Sequence, residues 1–349
     1  MAVTARAAPA ERAGARDVRG ALARFLERHS GRPVTITACA SVARGTMREA
    51  WAVDVVLPPG GEPDRLVHLE DRGGALFDSR LHADDELAIL RAMHAAGVRV
   101  PRPRFKVDAG DPSGLGPGLL VDRVEGEAVA RRVLRDPAFD AARPRLLSEL
   151  GEELARIHAV PLAGLERLAR ARPGEPPVLA QLDELERVLR AIGEPHPALE
   201  LALRWLRAGA PACARPALVH GDYRLGNVLV DPARGLAAVL DWELAHVGDP
   251  GEDVLWFCIR FWRALDAPGH RGLGPRERFL DAYARAGGRR FDPDAARYWE
   301  VFGNFRWAIV TLAQAWRHVS GRERDLELAS IGRHCAEVEW EILRLLGEA

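Results

Sequence analysis

The spacing of hydrophobic and polar residues changes near residue 123 of this 349-residue chain. Before that point, short apolar runs predict five strands, at residues 34–37, 51–57, 65–69, 105–107 and 118–122. Helical spacing adds two helices to this region, at residues 17–29 and 82–96. After that point, helices predominate, at residues 146–158, 179–191, 199–208, 295–319 and 324–346, with one β segment at 217–241. The pattern predicts a disordered tail at 1–16, a β-rich N-lobe at 17–122 and a mostly helical C-lobe at 123–349.

Composition narrows the class of protein. Hydrophobic residues make up 48% of the chain, and 49 Lys and Arg nearly balance 50 Asp and Glu. This excludes a wholly disordered chain and argues against a nucleic-acid binder with a generally basic surface. No apolar run reaches the length of a membrane span, and the N-terminus lacks the apolar segment of a secretory signal. We therefore expect a cytoplasmic monomer or homodimer that contacts no membrane; a transit peptide is the alternative for the tail.

A loop and hairpin in the predicted C-lobe carry the most informative polar residues. Two apolar strands, 228–230 and 236–240, flank a turn, so antiparallel pairing brings Asn227 and Asp241 side by side. Asp222 precedes Asn227 by five positions on a glycine-bounded loop. Such oxygen ligands suit Mg²⁺, which also contacts substrate phosphates. Asp and Asn at strand ends often only make turns, but HGDxxxxN followed by a hairpin and DWE matches the catalytic spacing of protein kinases.

The same segment resembles the aminoglycoside phosphotransferase and choline kinase superfamily, in particular the phosphotransferase domain fused to some acyl-CoA dehydrogenases. The resembling segments are LVHGDYRLGNVLV at 218–230 and AAVLDWELAHVGDP at 237–250, with weaker support from RGTMREAW at 44–51 and LLVDRVEG at 119–126. The resemblance implies an α+β, bilobal, protein-kinase-like fold. It also implies transfer of the γ-phosphate of ATP, with Mg²⁺, to a hydroxyl of a small-molecule acceptor.

Catalytic and metal-binding roles follow from this resemblance. Asp222 is expected to be the catalytic base or to orient the acceptor hydroxyl. His220 is expected to belong to the catalytic loop, and to shape that loop rather than exchange protons. Asn227 and Asp241 are expected to hold Mg²⁺. A metal-dependent hydrolase built on His220, Asp222 and Asp241 is the competing interpretation, but the segment lacks the histidine-rich ligand set of such enzymes.

Nucleotide-binding roles are also implied by the resemblance. The loop around Gly45 is expected to cover the phosphates. Glu86 is expected to pair with a cation on the third strand, and backbone groups from Val121 to Arg123 are expected to meet the adenine. The alternative for Glu86 is a solvated residue in an acidic run.

The third-strand cation is the weak point of the resemblance. The apolar-cation-apolar pattern places His68 in that slot, whereas counting back from Glu86 places Leu69 there, and Arg72 is a third candidate. The chain has a single lysine, Lys106, which falls on a later strand. If no cation fills the slot, the alternative function is a catalytically weak or inactive kinase-fold binding protein.

The acceptor stays open between hydroxyacyl-CoA-like compounds, aminoglycosides and other hydroxylated compounds such as choline-like alcohols. An aminoglycoside carries several ammonium groups and calls for an acidic site. Arginines at least match carboxylates between residues 256 and 320. This balance favours a neutral or anionic acceptor. Arg260, Asn304, Arg306 and Trp307 are candidate acceptor-binding residues, whereas Trp256, Phe257, Phe261 and Trp262 have the spacing of a packed helix.

Overall fold

The computed structural model describes residues 17–44, 48–56, 63–73, 81–267 and 271–347. Gly45, predicted to lie in the phosphate-covering loop, is outside the described residues, as is the tail predicted at residues 1–16. None of the helices in the described ranges combines the length and the apolar character needed to cross a lipid bilayer.

Contacts group the chain into two units. The first unit combines Met1–Ala75 with Pro101–Val124, and the second combines Leu76–Val100 with Glu125–Ala349. Helix α2 (Ala83–Ala95) falls in the predicted N-lobe but groups with the second, helical unit. Backbone hydrogen bonds explain this difference. The Leu81 N–H donates to Glu243 O at 2.9 Å, and the Val239 N–H donates to Arg99 O at 2.7 Å.

The first unit is a five-stranded antiparallel sheet that follows one helix. Its elements are α1 (Val18–Ser30), β1 (Thr35–Arg44), β2 (Arg48–Val56), β3 (Asp64–Asp71), β4 (Pro103–Val107) and β5 (Gly118–Asp122). The strand order in the sheet is β1-β2-β3-β5-β4. All five predicted strands and both predicted helices of this region are present, although β1 and β2 are longer than their apolar runs.

Helix α1 supplies one side of the core of the first unit. The side chain of Asp17 accepts the Gly20 N–H at 2.8 Å and caps the start of the helix. Leu22 and Phe25 of α1 are buried together with strand residues of one sheet face, namely Ile36, Val53, Val55, Leu66 and Leu120. Helix α1 therefore covers this face of the sheet.

The second unit is mostly helical. Besides α2, its helices are α3 (Ala130–Arg135), α4 (Arg143–His158), α5 (Pro177–Ile192), α6 (Pro197–Ala208), α7 (Gly251–Cys258), α8 (Arg276–Arg285), α9 (Pro293–Val319), α10 (Leu326–Gly332) and α11 (Cys335–Gly347). The 27-residue helix α9 is unbroken, and α5, α6, α7, α10 and α11 pack against it. The Asp292 side chain caps α9 by accepting the Ala295 N–H at 2.8 Å.

The helix predicted at residues 324–346 is wrong in one respect, because two helices, α10 and α11, occupy this stretch. Helix α10 ends at Gly332, where an added Cβ would lie 2.4 Å from the Cβ of Ala315 on α9. Only a residue without a side chain permits this approach, and glycine also weakens a helix interior. The chain therefore turns there before α11 begins.

Two small antiparallel strand pairs lie within the second unit. The predicted hairpin is present as β7 (Val228–Asp231) and β8 (Gly235–Val239), with Val228 opposite Val239. A second pair joins β6 (Ala217–Val219) to β9 (His246–Gly248). Strand β9 is not predicted from the sequence. The β6–β9 pair holds the two ends of the site-bearing segment side by side.

Candidate active site

The carboxylate of Asp253, in the first turn of α7, holds in place the predicted catalytic loop, residues 220–227. This side chain is fully buried and accepts the backbone N–H groups of His220 at 2.6 Å and Gly221 at 2.8 Å. His158 Nε2 lies 3.1 Å from the same carboxylate. Burial by itself raises the pKa of Asp253, but the hydrogen bonds and charge of His158 and the His220 N–H outweigh it and hold the pKa below its usual value. The loop is thus anchored by a buried, ionised group.

Gly221 can adopt this anchored conformation because it has no side chain. Its φ is +79°, in the left-handed region, and a Cβ there would lie 2.5 Å from Leu244 O. A larger residue at this position would push the loop away from the segment that follows Asp241.

His220 connects the backbone of the catalytic loop to the backbone beside Asp241. Its Nδ1 accepts the Asp222 N–H at 3.2 Å, and its Nε2 lies 2.8 Å from Leu240 O. These partners assign a neutral ring that carries its proton on Nε2. Burial lowers the pKa of His220, which agrees with the neutral form. In this geometry His220 positions the loop and does not face outward to exchange protons.

Three side chains donate to the carboxylate of Asp222. Trp256 Nε1 donates to Oδ1 at 2.9 Å, and Asn227 Nδ2 donates to Oδ2 at 2.6 Å. Arg224 Nε lies 3.2 and 3.1 Å from the two oxygens. The carboxylate is therefore held in one orientation by neutral and cationic donors while it stays partly exposed.

The hairpin brings Asn227 and the Asp241 segment together, as its strand pattern predicts. The Leu240 N–H donates to Asn227 O at 2.8 Å, directly beyond the Val228–Val239 pair. Asp241 has a φ of +64°, which is uncommon for a residue other than glycine. Asn227 uses its amide nitrogen on Asp222, so its oxygen is the atom it can offer to a cation. An amide oxygen and a carboxylate are donor types that fit Mg²⁺.

Trp256, which contacts Asp222, belongs to an aromatic cluster. Its other members are Phe261, Trp262 and Trp307. The ring centroids of Trp262 lie 5.0 Å from those of Trp256 and 4.8 Å from those of Trp307. Two arginines lie over these rings. Arg224 is 5.2 Å from the ring of Trp262, and the buried Arg306 is 4.9 Å from the ring of Trp256.

Sequence reasoning did not find Arg224, although it stands inside the HGDxxxxN motif. Its position two residues after Asp222 was the feature that could have indicated a contact between the two side chains. Phe257 has the packed position that its helical spacing predicts, and Asn304, a candidate acceptor-binding residue, has a hydrogen-bond partner within its own helix. Phe257 stacks on Phe279 in the core, and Asn304 donates to the carbonyl of Glu300 within α9.

The register of β3 distinguishes His68 from Leu69. His68 is fully buried and pairs with Trp51 and Leu120, so it lies on the sheet face that packs against α1. Leu69 pairs with Ala50 and Leu119 on the opposite face. Because successive strand residues point to opposite faces, these two residues cannot serve the same surface. The register favours Leu69 for the slot that a third-strand cation fills in kinases.

Each of the remaining nucleotide-site candidates is either buried or paired with a residue of its own unit. Val121 is buried near the end of β5, and Arg123 pairs with Asp54 at 2.8 Å. Glu86 is buried in the first turn of α2 and is therefore not a solvated residue. Two further cations have partners close to them in sequence or across the sheet. Arg72 lies 3.3 Å from Glu49, and Lys106 of β4 lies 2.7 Å from Asp108.

Comparison with known proteins decides the family. The sequence profile of the phosphotransferase enzyme family (APH) matches residues 72–299, more than half of the chain. The chain belongs to this family. The matched range includes α2, the catalytic loop, the β7–β8 hairpin and α7, and it begins after β3.

Relatives of this phosphotransferase-family chain include larger proteins. Acyl-CoA dehydrogenase family member 10 of Mus musculus is 30% identical over 216 residues, which are 60% of this chain and 20% of that protein. Acyl-CoA dehydrogenase family member 11 of Homo sapiens is 26% identical over 231 residues, 62% of this chain and 29% of that protein. The chain thus spans less than a third of the length of these two curated relatives.

Solved structures confirm the predicted α+β, bilobal, kinase-like fold. A protein from Ralstonia eutropha JMP134, provisionally named an aminoglycoside phosphotransferase, has a TM-score of 0.70 at 21% identity, covering 93% of this chain and 97% of that one. A thermostable mutant of aminoglycoside phosphotransferase APH(4)-Ia, in a ternary complex with ADP and hygromycin B, has a TM-score of 0.59 at 18% identity, covering 93% and 98%.

Replacing Asp253 with Ala should destabilise this phosphotransferase-family protein by about 3–5 kcal/mol, because two buried N–H groups and His158 lose their acceptor. Denaturant unfolding followed by circular dichroism measures the change. The matched control is Asp294→Ala, whose side chain is 92% exposed; we expect a change within about 0.5 kcal/mol there. A similar small loss in both variants would contradict the anchoring role of Asp253.

Stability should decrease as the pH falls from 7 to 5, in part through His220. Its pKa in the unfolded chain is near 6.5 and is lower in the folded protein, so the unfolded chain binds the proton first. The stabilisation is therefore complete above about pH 6.5 and declines below it. Melting temperatures over this range should fall less in His220→Gln than in the wild-type protein. Parallel curves would contradict the buried neutral ring. The low pKa of Asp253 acts only at more acidic pH.

Proposed function

We propose that this chain is an ATP- and Mg²⁺-dependent phosphotransferase that moves the γ-phosphate to a hydroxyl group of a small molecule. The observation that carries the proposal is the fixed carboxylate of Asp222, which shares Asn227 with the hairpin end that bears Asp241. Membership of the phosphotransferase enzyme family supports group transfer. The complex of APH(4)-Ia with ADP and hygromycin B supports a nucleotide and a hydroxylated acceptor as the two substrates.

In the proposed reaction, Asp222 accepts the proton of the acceptor hydroxyl as the hydroxyl oxygen bonds to the γ-phosphorus. The bond between this phosphorus and the β–γ bridging oxygen breaks, and ADP leaves. Trp256, Asn227 and Arg224 keep the Asp222 carboxylate from rotating, so orientation contributes to catalysis. Bound by Asn227 and Asp241, Mg²⁺ would neutralise charge on the nucleotide phosphates.

The surroundings of Asp222 favour an acceptor with an apolar part and an anionic group. Flat aromatic surface is supplied by Trp262 and Trp307, which are partly exposed, and Arg224 and the buried Arg306 add positive charge beside it. The ammonium groups of an aminoglycoside would be repelled by these arginines. A hydroxyacyl-CoA-like compound has the matching acyl chain and phosphates. We therefore propose this acceptor class over aminoglycosides and choline-like alcohols.

The register of β3 supports a second candidate function, that of a binding protein with a kinase fold. Leu69 and its neighbours Ala50 and Leu119 form an apolar patch on the face opposite α1. A kinase-fold protein without a cation at this position binds the nucleotide phosphates less strongly. The second candidate is therefore a kinase-fold binding protein with weak or no turnover.

Mg-ATP should raise the melting temperature of the wild-type protein, because a ligand that binds only the folded state stabilises it. The variant Asp241→Asn should lose this shift while keeping its own melting temperature, since asparagine tolerates a positive φ. Differential scanning fluorimetry with ATP alone, Mg²⁺ alone and both together measures the effect. Asp294→Asn is the control and should behave as the wild type. No shift with millimolar Mg-ATP in the wild-type protein would overturn the proposed function.

Labelled ATP should transfer phosphate to a hydroxyacyl-CoA at least ~10-fold more efficiently, in kcat/KM, than to an aminoglycoside or to choline, because 1.4 kcal/mol of preferential binding gives this ratio. Asp222→Asn should lower kcat by about 10²–10⁴-fold with the same acceptor. The assay measures labelled product over the acceptor panel. Nucleotide binding without turnover of any acceptor would favour the second candidate function.

Two tryptophan variants, one inside the aromatic cluster and one outside it, test whether the cluster binds the acceptor. Trp262→Leu should raise KM for the hydroxyacyl-CoA and leave KM for ATP unchanged. Trp340→Leu removes a tryptophan of α11 that is 58% exposed and should leave both values unchanged. An equal KM in the two variants would contradict the acceptor assignment.

A further inference from the structure

A second group of metal-ligand side chains lies in the helical unit, apart from the catalytic loop. Its members are His196, Cys335 and Glu339, and one ligand atom of each lies within 4.8 Å of the ligand atoms of the other two. His196 precedes the first turn of α6, whereas Cys335 and Glu339 stand four residues apart on α11. Residues at this spacing share one helix face, so both side chains of α11 project toward the same point.

Two features of His196 point to a ligand at this position. Its Nδ1 lies 2.8 Å from Oε1 of Glu339, so the carboxylate fixes the orientation of the ring. Its Nε2 is buried and makes no hydrogen bond with the described residues. A buried ring nitrogen of this kind costs free energy unless a partner satisfies it.

The donor types define the chemical class of the ligand. A thiol, an imidazole and a carboxylate together suit a thiophilic divalent transition-metal ion such as Zn²⁺, and do not suit Mg²⁺ or Ca²⁺. In a tetrahedral zinc site the donor atoms lie roughly 3.5 Å apart, given metal–ligand bonds of about 2.0–2.3 Å. In the structure the Glu339 carboxylate contacts Nδ1, so sharing an ion with Nε2 requires rotation of the His196 or Glu339 side chain. Oε2 of Glu194 lies 3.8 Å from His196 Nε2 and can supply a fourth oxygen.

We propose that His196, Cys335 and Glu339 form a zinc-class metal site that joins the C-terminal helix α11 to the start of α6. On binding, the Cys335 thiol loses its proton to solvent and a sulfur–metal bond forms, with no change of oxidation state. The role of the ion is structural, because α11 and α6 pack together at this place and the proposed acceptor site includes none of the three residues.

The Cys335 thiol carries its proton in the ion-free protein. Burial and the nearby Glu339 raise the pKa of the Cys335 thiol to about 12. The negative charge of Glu339 opposes a thiolate that has no metal bound. The same charge attracts a divalent cation.

Cobalt titration of the chelator-treated full chain tests the proposal, because Co²⁺ replaces Zn²⁺ and reports its ligands by colour. We expect one equivalent of Co²⁺ to give a sulfur-to-cobalt charge-transfer band, and Zn²⁺ to abolish it. An oxygen-only site such as Asn227 and Asp241 produces no such band. Cys335→Ser should remove the band, whereas Cys213→Ser, which changes a half-buried cysteine outside the group, should keep it.

Two further variants keep the test decisive if Cys335→Ser folds poorly. His196→Gln and Glu339→Gln leave every thiol in place. His196→Gln should weaken Co²⁺ binding by more than the roughly 10–100-fold that follows loss of an outer-shell partner. Absence of the band in the wild-type protein, its persistence in folded Cys335→Ser, or unchanged affinity in both glutamine variants would overturn the proposal.

Discussion

The pairing of the buried Asp253 carboxylate with two successive backbone N–H groups is the interaction on which the candidate site depends. A buried charge is costly unless it is hydrogen-bonded, and here the loop itself supplies the donors, with His158 as a third. Stabilising the charge and ordering the loop are therefore the same event. The residue after those two N–H groups is Asp222, so the anchor determines where the proposed catalytic carboxylate begins.

His220 extends this constraint to the second acidic residue. Its ring accepts from the Asp222 backbone and donates to the Leu240 carbonyl, so one side chain joins the loop to the end of the hairpin. The positive φ of Asp241 then has a physical explanation. A strained backbone persists only where the surroundings hold it, and the Leu240–Asn227 hydrogen bond and His220 both fix the residue before it. A neutral, buried histidine suits this role better than a titrating one.

Sequence reasoning found the parts of the fold that local patterns determine. The hairpin followed from alternating apolar strands and a turn, and helix α9 followed from a long periodic stretch. The β6–β9 pair has only three residues in each strand, so its pairing depends on distant contacts. The hydrogen bond from Trp256 to Asp222 crosses 34 positions of sequence, and no local pattern reports it. The choice between His68 and Leu69 needed strand register, because a shift of one residue changes the sheet face.

In the proposed phosphoryl transfer, the apolar surroundings of Leu69 would change how the charge of the phosphate is balanced. A kinase with a third-strand lysine divides this task between the lysine and the metal. Because β3 carries Leu69 between Ala50 and Leu119, the proposed metal ligands and other cations would carry a larger share in the proposed reaction. Electrostatic stabilisation in a partly buried site is strong, so loss of one of few contributors has a large effect. The dependence of nucleotide binding on Asp241 should therefore be steeper in this chain than in a kinase that retains the lysine.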